Sequence, residues 1–335
     1  MNPLIKYLIF YSFHWWMSAF FFFFLFYLIF SLFSLTAKAA YLIVKRTLKP
    51  KRNEVSLRKA KISFYATVLP ILFIFILIAS GFYVSEGKLS VTENRMYFKT
   101  LPEKFSGFKI IHITDIHCDI FTGSRKLKRI VEITNELNPD LILLTGDYVS
   151  NSVDYVRPMV EEFINLKSKF GIYATLGNHD FWTDPGIIES VLESGGINVL
   201  KNESVKVNID EDHIYIAGIN DLHNNPNFTK SLEGVETGAF KILLSHNPNT
   251  FDLAAAFNIP LTLSGHTHGG QLVLNIFGRP LSISRLATRY VSGTFKNMDS
   301  ILYVNKGIGY TGPPIRVNAS AEIALFTLYN ISEKE

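Results

Sequence analysis

Ser264-Gly265-His266-Thr267-His268-Gly269-Gly270-Gln271 follows directly on the apolar run Ile259-Pro260-Leu261-Thr262-Leu263. On an extended backbone, residues i and i+2 face the same side, so His266 and His268 can address one point in space. The glycines let the chain turn sharply and come close to that point. Imidazole is the commonest metal-binding side chain. Taken alone, the stretch reads equally well as a polar loop after a buried strand or as half of a metal site. Other strand ends decide between the two.

Four more apolar runs end in small polar clusters. Lys109-Ile110-Ile111-His112-Ile113-Thr114 leads into Asp115-Ile116-His117, and Leu141-Ile142-Leu143-Leu144-Thr145 into Gly146-Asp147-Tyr148. Ile172 to Leu176 leads into Gly177-Asn178-His179-Asp180, and Ile242-Leu243-Leu244 into Ser245-His246-Asn247-Pro248. Helical spacing lies between them, at Arg125–Leu137, Val156–Leu166 and Ile187–Leu192. Further strand-like runs are Val205–Ile209, His213–Ile219, Ile301–Val304 and Ile323–Leu328. Alternating strand and helix predicts an α/β domain. In open α/β sheets, ligands bind beyond the carboxyl ends of the strands, where these five clusters would converge.

The clusters supply Asp115, His117, Asp147, Asn178, His246, His266 and His268. That is more than one ordinary metal site uses. Shared between two ions with one bridging carboxylate, the set gives four protein ligands to each. Mixed imidazole and carboxylate suits divalent Mn, Fe, Zn or Co better than Ca or Mg. Paired metals about 3.5–4 Å apart clamp the attacking and leaving oxygens of phosphoryl transfer and lower the pKa of water. His179 turns away from its neighbour Asn178 and can reach the phosphate or the leaving oxygen. Asp180 is the residue expected to orient or charge that imidazole, giving His179 and Asp180 as the catalytic candidates.

D-x-H, G-D, G-N-H-D, the histidine of S-H-N-P and G-H-T-H, in this order over Asp115 to Gln271, resemble the calcineurin-like metallophosphoesterases. The resemblance implies a four-layer α/β/β/α sandwich with a dinuclear centre. It implies one metal on Asp115, His117, Asp147 and His268, and another on Asp147, Asn178, His246 and His266. His179 would stabilise or protonate the leaving oxygen. Gly269-Gly270-Gln271 and the tail Gly307 to Arg316 further resemble a bacterial membrane-associated or exported branch. That branch includes UDP-2,3-diacylglucosamine pyrophosphohydrolases of lipid A synthesis. Many relatives carry G-D-x-x-D; here Ser150 stands at the second Asp, which bears on the subgroup rather than on activity. Some members of the fold are non-catalytic scaffolds that lack part of the ligand set. Here every position is filled.

Other polar residues read more blandly. His112 is expected to be a packed strand histidine, His213 exposed, and Cys118 a small packed residue facing away from the ligands. Asp221 and His223, in a turn-rich stretch, read as a solvated loop that could border the substrate. Arg316 could bind phosphate, or lock the C-terminal loop by pairing with Glu322; Arg279 and Arg285 are similar phosphate candidates.

The 335 residues carry a formal charge of +4, too modest for nucleic-acid binding, and one cysteine, so no intrachain disulfide. Residues 1–86 read as a membrane anchor and 87–335 as the catalytic domain. Tyr7 to Ala37 and Ile62 to Ser85 contain no Asp, Glu, Lys or Arg. A span needs about 20 apolar residues, so each run predicts one transmembrane helix. The loop between them, Lys45-Arg46-Thr47-Leu48-Lys49-Pro50-Lys51-Arg52 with Arg58, Lys59 and Lys61, is basic. The positive-inside rule puts it in the cytoplasm and the catalytic domain outside. A hairpin in the first run would invert that orientation. The expected protein is a multi-pass membrane phosphohydrolase with a phosphorylated, lipid-linked substrate. The lipid A enzyme is the alternative, and it would need a cytoplasmic active site.

Overall fold

The computed structural model describes residues 89–331 except 277 and 313, together with isolated helical positions between residues 24 and 72. The chain divides into two units, Met1–Glu86 and Gly87–Glu335. Both expected spans, 7–37 and 62–85, lie largely outside the described residues. Among the described residues, no helix is long and apolar enough to cross a membrane.

The second unit contains two six-stranded mixed sheets. The first comprises β1 (Leu89–Phe98), β2 (Lys109–Ile113), β3 (Leu141–Thr145), β4 (Ile172–Thr175), β5 (Ile197–Val199) and β14 (Ala321–Asn330), in the order β1-β14-β2-β3-β4-β5. The second comprises β6 (Glu203–Ile209), β7 (Asp212–Gly218), β8 (Lys241–Leu244), β9 (Leu261–Ser264), β12 (Gly293–Asn297) and β13 (Ser300–Val304), in the order β12-β13-β9-β8-β7-β6. β10 (Leu274–Ile276) and β11 (Arg279–Leu281) form a separate antiparallel hairpin. Strands β2 to β5 are mutually parallel, as are β7, β8, β9 and β13, so two groups of carboxyl ends are formed.

Alternation along the strands builds the layers. Ile110, Leu141, Leu143, Ile242, Leu244, Leu261 and Leu263 share one apolar cluster, contributed by both sheets. The intervening Ile111, Ile113, Ile142 and Leu144 face the other way. They meet α1 (Ser124–Glu136) and α2 (Val156–Phe163), whose buried Leu127, Ile130, Val131 and Val156, Met159, Val160 recur at helical spacing. On the second sheet, Leu243, Leu302 and Val304 face Phe251 and Ala254. Strands buried on both faces must be apolar almost throughout, which is why these runs were so plain in the sequence.

His112 points inward with Ile110, as expected of a packed histidine. It is buried, and its Nε2 lies 2.8 Å from Thr145 Oγ1. β1 was not among the expected strands. Its polar Thr92, Glu93, Asn94 and Arg95 suit a sheet edge, where it pairs parallel with β14.

Candidate metal centre

The loop after β2 is stitched to the loop after β3. Asp115 N–H donates to Gly146 O at 3.0 Å, His117 N–H to Asp147 O at 2.9 Å, and Cys118 N–H to Tyr148 O at 2.8 Å. The loop after β9 is tied to the other two sets. Gly265 N–H donates to His246 O at 3.0 Å, and His266 N–H to both carboxylate oxygens of Asp115 at 3.0 Å. This approach requires a glycine: a Cβ on Gly265 would lie 2.1 Å from Asp115 Oδ2 and 2.2 Å from Thr114 Oγ1. Asp115, His117, Asp147, His266 and His268 all have left-handed backbones, with φ of 50°, 46°, 56°, 70° and 52°. For residues with a Cβ this costs about 1–2 kcal/mol each, held by the surrounding hydrogen bonds.

All seven expected ligands come together. His117 Nε2 lies 3.1 Å from His268 Nε2, which lies 3.4 Å from Asp115 Oδ1. His246 Nε2 lies 3.2 Å from Asn178 Oδ1 and 3.2 Å from His266 Nδ1. A single atom joins the two groups: Asp147 Oδ2 is 3.4 Å from His117 Nε2 and 3.2 Å from His246 Nε2. Donors about 2.0–2.2 Å from one cation are separated by roughly 3.0–3.5 Å at octahedral or tetrahedral angles, so the donor set fits a divalent metal. His246 Nδ1 donates to Thr145 O at 2.6 Å, which leaves its Nε2 lone pair facing the other donors.

Burial and the two aspartates set the electrostatics of the site. Burial disfavours charge on His246, but Asp147 and Asp115 outweigh it and push the imidazole up to about 10. Burial also opposes charge on His117, and Asp147 again raises it. Asp147 itself is buried, yet His246 and His117 hold it well below the usual carboxylate range. Burial, then the neighbouring His117 and Arg316, keep His268 well below an ordinary imidazole.

His179 stands beside the donors. Its N–H donates to Asp147 Oδ1 at 2.9 Å, and its ring packs edge-on to His117 at 4.7 Å between centroids. Asp180 does not orient it, contrary to expectation. The third residue of a helix folds back on the helix start. In α3 (Asn178–Thr183), Asp180 accordingly accepts N–H groups of Gly177 at 2.8 Å, Asp147 at 2.8 Å and Tyr148 at 2.9 Å. It clamps two ligand loops together. Burial and the Asp147 charge push its carboxyl up to about 7, against the N–H bonds from Gly177 and Tyr148. The orienting partner of His179 is a main-chain group: Nδ1 donates to Ser150 O at 2.7 Å. The Ser150 hydroxyl bonds Asp119 and His117 O instead, so the absent second Asp of G-D-x-x-D leaves the imidazole supported.

Other residues differ from their sequence reading or escaped it. Asp221 is not solvated: it follows β7, is 1% exposed, and its Oδ1 has no hydrogen-bond partner among the described residues. Arg316 is 0% exposed and pairs with no carboxylate among the described residues. It donates to the carbonyls of Lys306, Gly307, Gly309, Ala319 and His268, and lies 3.3 Å from His268 Nδ1. It locks the C-terminal loop, but not through Glu322, which accepts from Tyr303 and Lys306 N–H. Thr311 Oγ1 lies 2.7 Å from His268 Nε2, with Thr311 paired in both directions to Gln271. Trp182, 72% exposed, packs on His179 at 4.8 Å. Its place three residues along the same helix was the signal for that contact. Arg279 and Arg285 are exposed, and among the described residues neither bonds to the donors.

Comparison with known proteins agrees with this chemistry. Residues 108–270 match the family model of the calcineurin-like phosphoesterases. The chain is 32% identical over 254 residues to the uncharacterized metallophosphoesterase YkuE of Bacillus subtilis (strain 168), covering 73% of this chain and 87% of that protein. It is 34% identical over 283 residues to a transmembrane protein with metallophosphoesterase domain of Danio rerio, covering 79% and 63% respectively. An uncharacterized metallophosphoesterase of Helicobacter pylori (strain J99) is 30% identical over 298 residues, covering 86% and 75%. With its motifs, sheets and clustered donors, the chain belongs to the calcineurin-like phosphoesterase family and is a metal-dependent phosphoester hydrolase.

Proposed function

We propose that this protein is a membrane-anchored, dinuclear metallophosphohydrolase acting on a lipid-linked phosphoester or phosphoanhydride. The observation that carries the dinuclear reading is the shared oxygen: Asp147 Oδ2 faces His117 on one side and His246 on the other. Asp115, His117, Asp147 and His268 would hold one ion, and Asp147, Asn178, His246 and His266 the second. Helices against the outer faces of two apposed sheets support the four-layer sandwich of the family. Divalent metals bound there supply activated water and neutralise charge on the phosphoryl group. The chain's own part is to fix the donors and to present His179. Its Nδ1 is committed to Ser150 O, so its Nε2 is the atom that exchanges a proton with the leaving oxygen.

The anchor reading rests on the two charge-free runs and their basic loop. The described helical positions Phe24, Tyr27, Leu28, Leu35, Tyr65, Leu69 and Leu72 carry exposed apolar side chains, as lipid-facing residues would. The Danio rerio relative is itself named a transmembrane protein. The same basic loop favours an extracytoplasmic active site, and therefore a substrate other than a cytoplasmic UDP-lipid.

Metal analysis and hydrolysis of bis-p-nitrophenyl phosphate with Mn test the chemistry. We expect both metals in the wild type, loss of at least one in Asp147→Asn, and a large fall in turnover with metals retained in His179→Ala. Full metal content in Asp147→Asn, or unchanged turnover in His179→Ala, refutes the assignment. A topology reporter fused after Glu335 tests the orientation; a cytoplasmic signal overturns it.

A further inference from the structure

Beside the metal centre the chain leaves the sandwich as the β10–β11 hairpin and a 3₁₀ turn, Ile283–Leu286. Leu274, Leu281, Ile283 and Leu286 are exposed, Leu286 to 90%. Scattered exposed leucines are ordinary; several on one projecting element beside a site are not. Arg279 and Arg285 lie among them, also exposed. From Leu253 to Met298 the chain carries no Asp or Glu. The element is attached to the metal-binding motif itself. Ser284 Oγ donates to Thr267 O at 3.3 Å, and Val273 N–H to Val317 O at 3.0 Å, next to the loop that Arg316 holds against His268.

We infer that the exposed Leu274, Arg279, Leu281, Ile283, Arg285 and Leu286 dock on an anionic phospholipid surface and seat the metal centre at the headgroup layer. This rests on the lipid-substrate reading above and deepens it. Apolar side chains interleaved with arginines, without acidic residues, are what an interfacial membrane element requires. The apolar members enter the acyl boundary and the guanidinium groups pair with lipid phosphates. In the sequence, Ser85, the end of the second charge-free run, stands only a few residues before the start of β1. An interfacial phosphoester could then be reached without leaving its lipid leaflet.

The test uses the full chain reconstituted in vesicles of phosphatidylcholine and phosphatidylglycerol. Cys118 is the sole cysteine and is buried, so Leu286→Cys can be labelled selectively with the polarity-sensitive dye NBD. Met298→Cys is the control, 88% exposed on the β12–β13 turn. That turn lies at the far end of the sheet, since the other end pairs Gly293 with Val304 and Val304 with Ser264. The expected result is blue-shifted emission at 286, quenched by brominated acyl chains, with neither effect at 298. Arg279→Gln and Arg285→Gln should each lower the docked-to-free ratio about five-fold. A water-exposed label at 286, or equal quenching at both positions, overturns the proposal. Hydrolysis of soluble bis-p-nitrophenyl phosphate, which needs no docking, is measured alongside. Its loss in the unmodified chain counts against the phosphohydrolase reading alone, whereas its survival with an undocked hairpin counts against this one alone.

Discussion

Acidification should weaken the fold through His112. The imidazole is fully buried between the two sheets, its Nε2 bonded to Thr145 Oγ1 and its Nδ1 without a partner among the described residues. Burial pushes it down to about 3, from an ordinary 6.5. The folded chain therefore binds fewer protons than the unfolded chain between those two values. Stability from this group is complete above 6.5 and is lost as pH falls towards 3. Going from about pH 7 to about pH 5, the unfolded imidazole gains about 0.7 of a proton and the folded one almost none, which integrates to a loss of about 2 kcal/mol. His112→Gln retains a polar group for Thr145 and removes the titration. Its packing cost is the same at both pH values and cancels from the comparison. Urea denaturation of wild type and variant, in chelator at both pH values, isolates the difference, because His117 and His246 titrate in both proteins. The wild type should lose about 2 kcal/mol more than the variant on acidification. Equal losses would refute the claim that His112 is held neutral by burial.

Gly265→Ala should force its new Cβ against Asp115 and Thr114, costing about 1–3 kcal/mol and lowering metal content in elemental analysis. Asp180→Asn should destabilise by roughly 2–4 kcal/mol in denaturant titrations, because an amide cannot accept from three N–H groups as the carboxylate does. Ser150→Ala should leave turnover unchanged within about two-fold and cost at most about 1 kcal/mol, since the carbonyl that orients His179 remains. Arg316→Met should leave buried carbonyls unpaired, cost roughly 3 kcal/mol, and open residues 306–319 to limited proteolysis.

What could be read in the sequence followed from burial on both faces of parallel strands. Such strands show as apolar runs, and the polar residue after each run stands out, so Asp115, Asp147, Asn178, His246 and His266 announced themselves. Main-chain partners leave no such mark. Ser150 orients His179 through its carbonyl, which any residue possesses, while the neighbouring carboxylate of Asp180 suggested a pairing that helix geometry directs elsewhere. Arg316 misled for the same reason: Glu322 looked like its partner, yet a curled loop of carbonyls holds it. Asp221 looked solvated because its neighbours in the chain are polar and turn-forming, and its burial is a tertiary property absent from local composition. The edge strand β1, with its polar Thr92 to Arg95, hid in the noise of a loop.

The left-handed backbones at the donor residues set activity against stability. His117, His266 and His268 hold φ values of 46°, 70° and 52°, a region that glycine occupies freely. Replacement by glycine removes a proposed metal ligand and relieves strain of about 1 kcal/mol or more at each position. Alanine at the same position removes the ligand and keeps the strain. Metal-free glycine variants should therefore outlast their alanine counterparts and approach or exceed the metal-free wild type in resistance to unfolding.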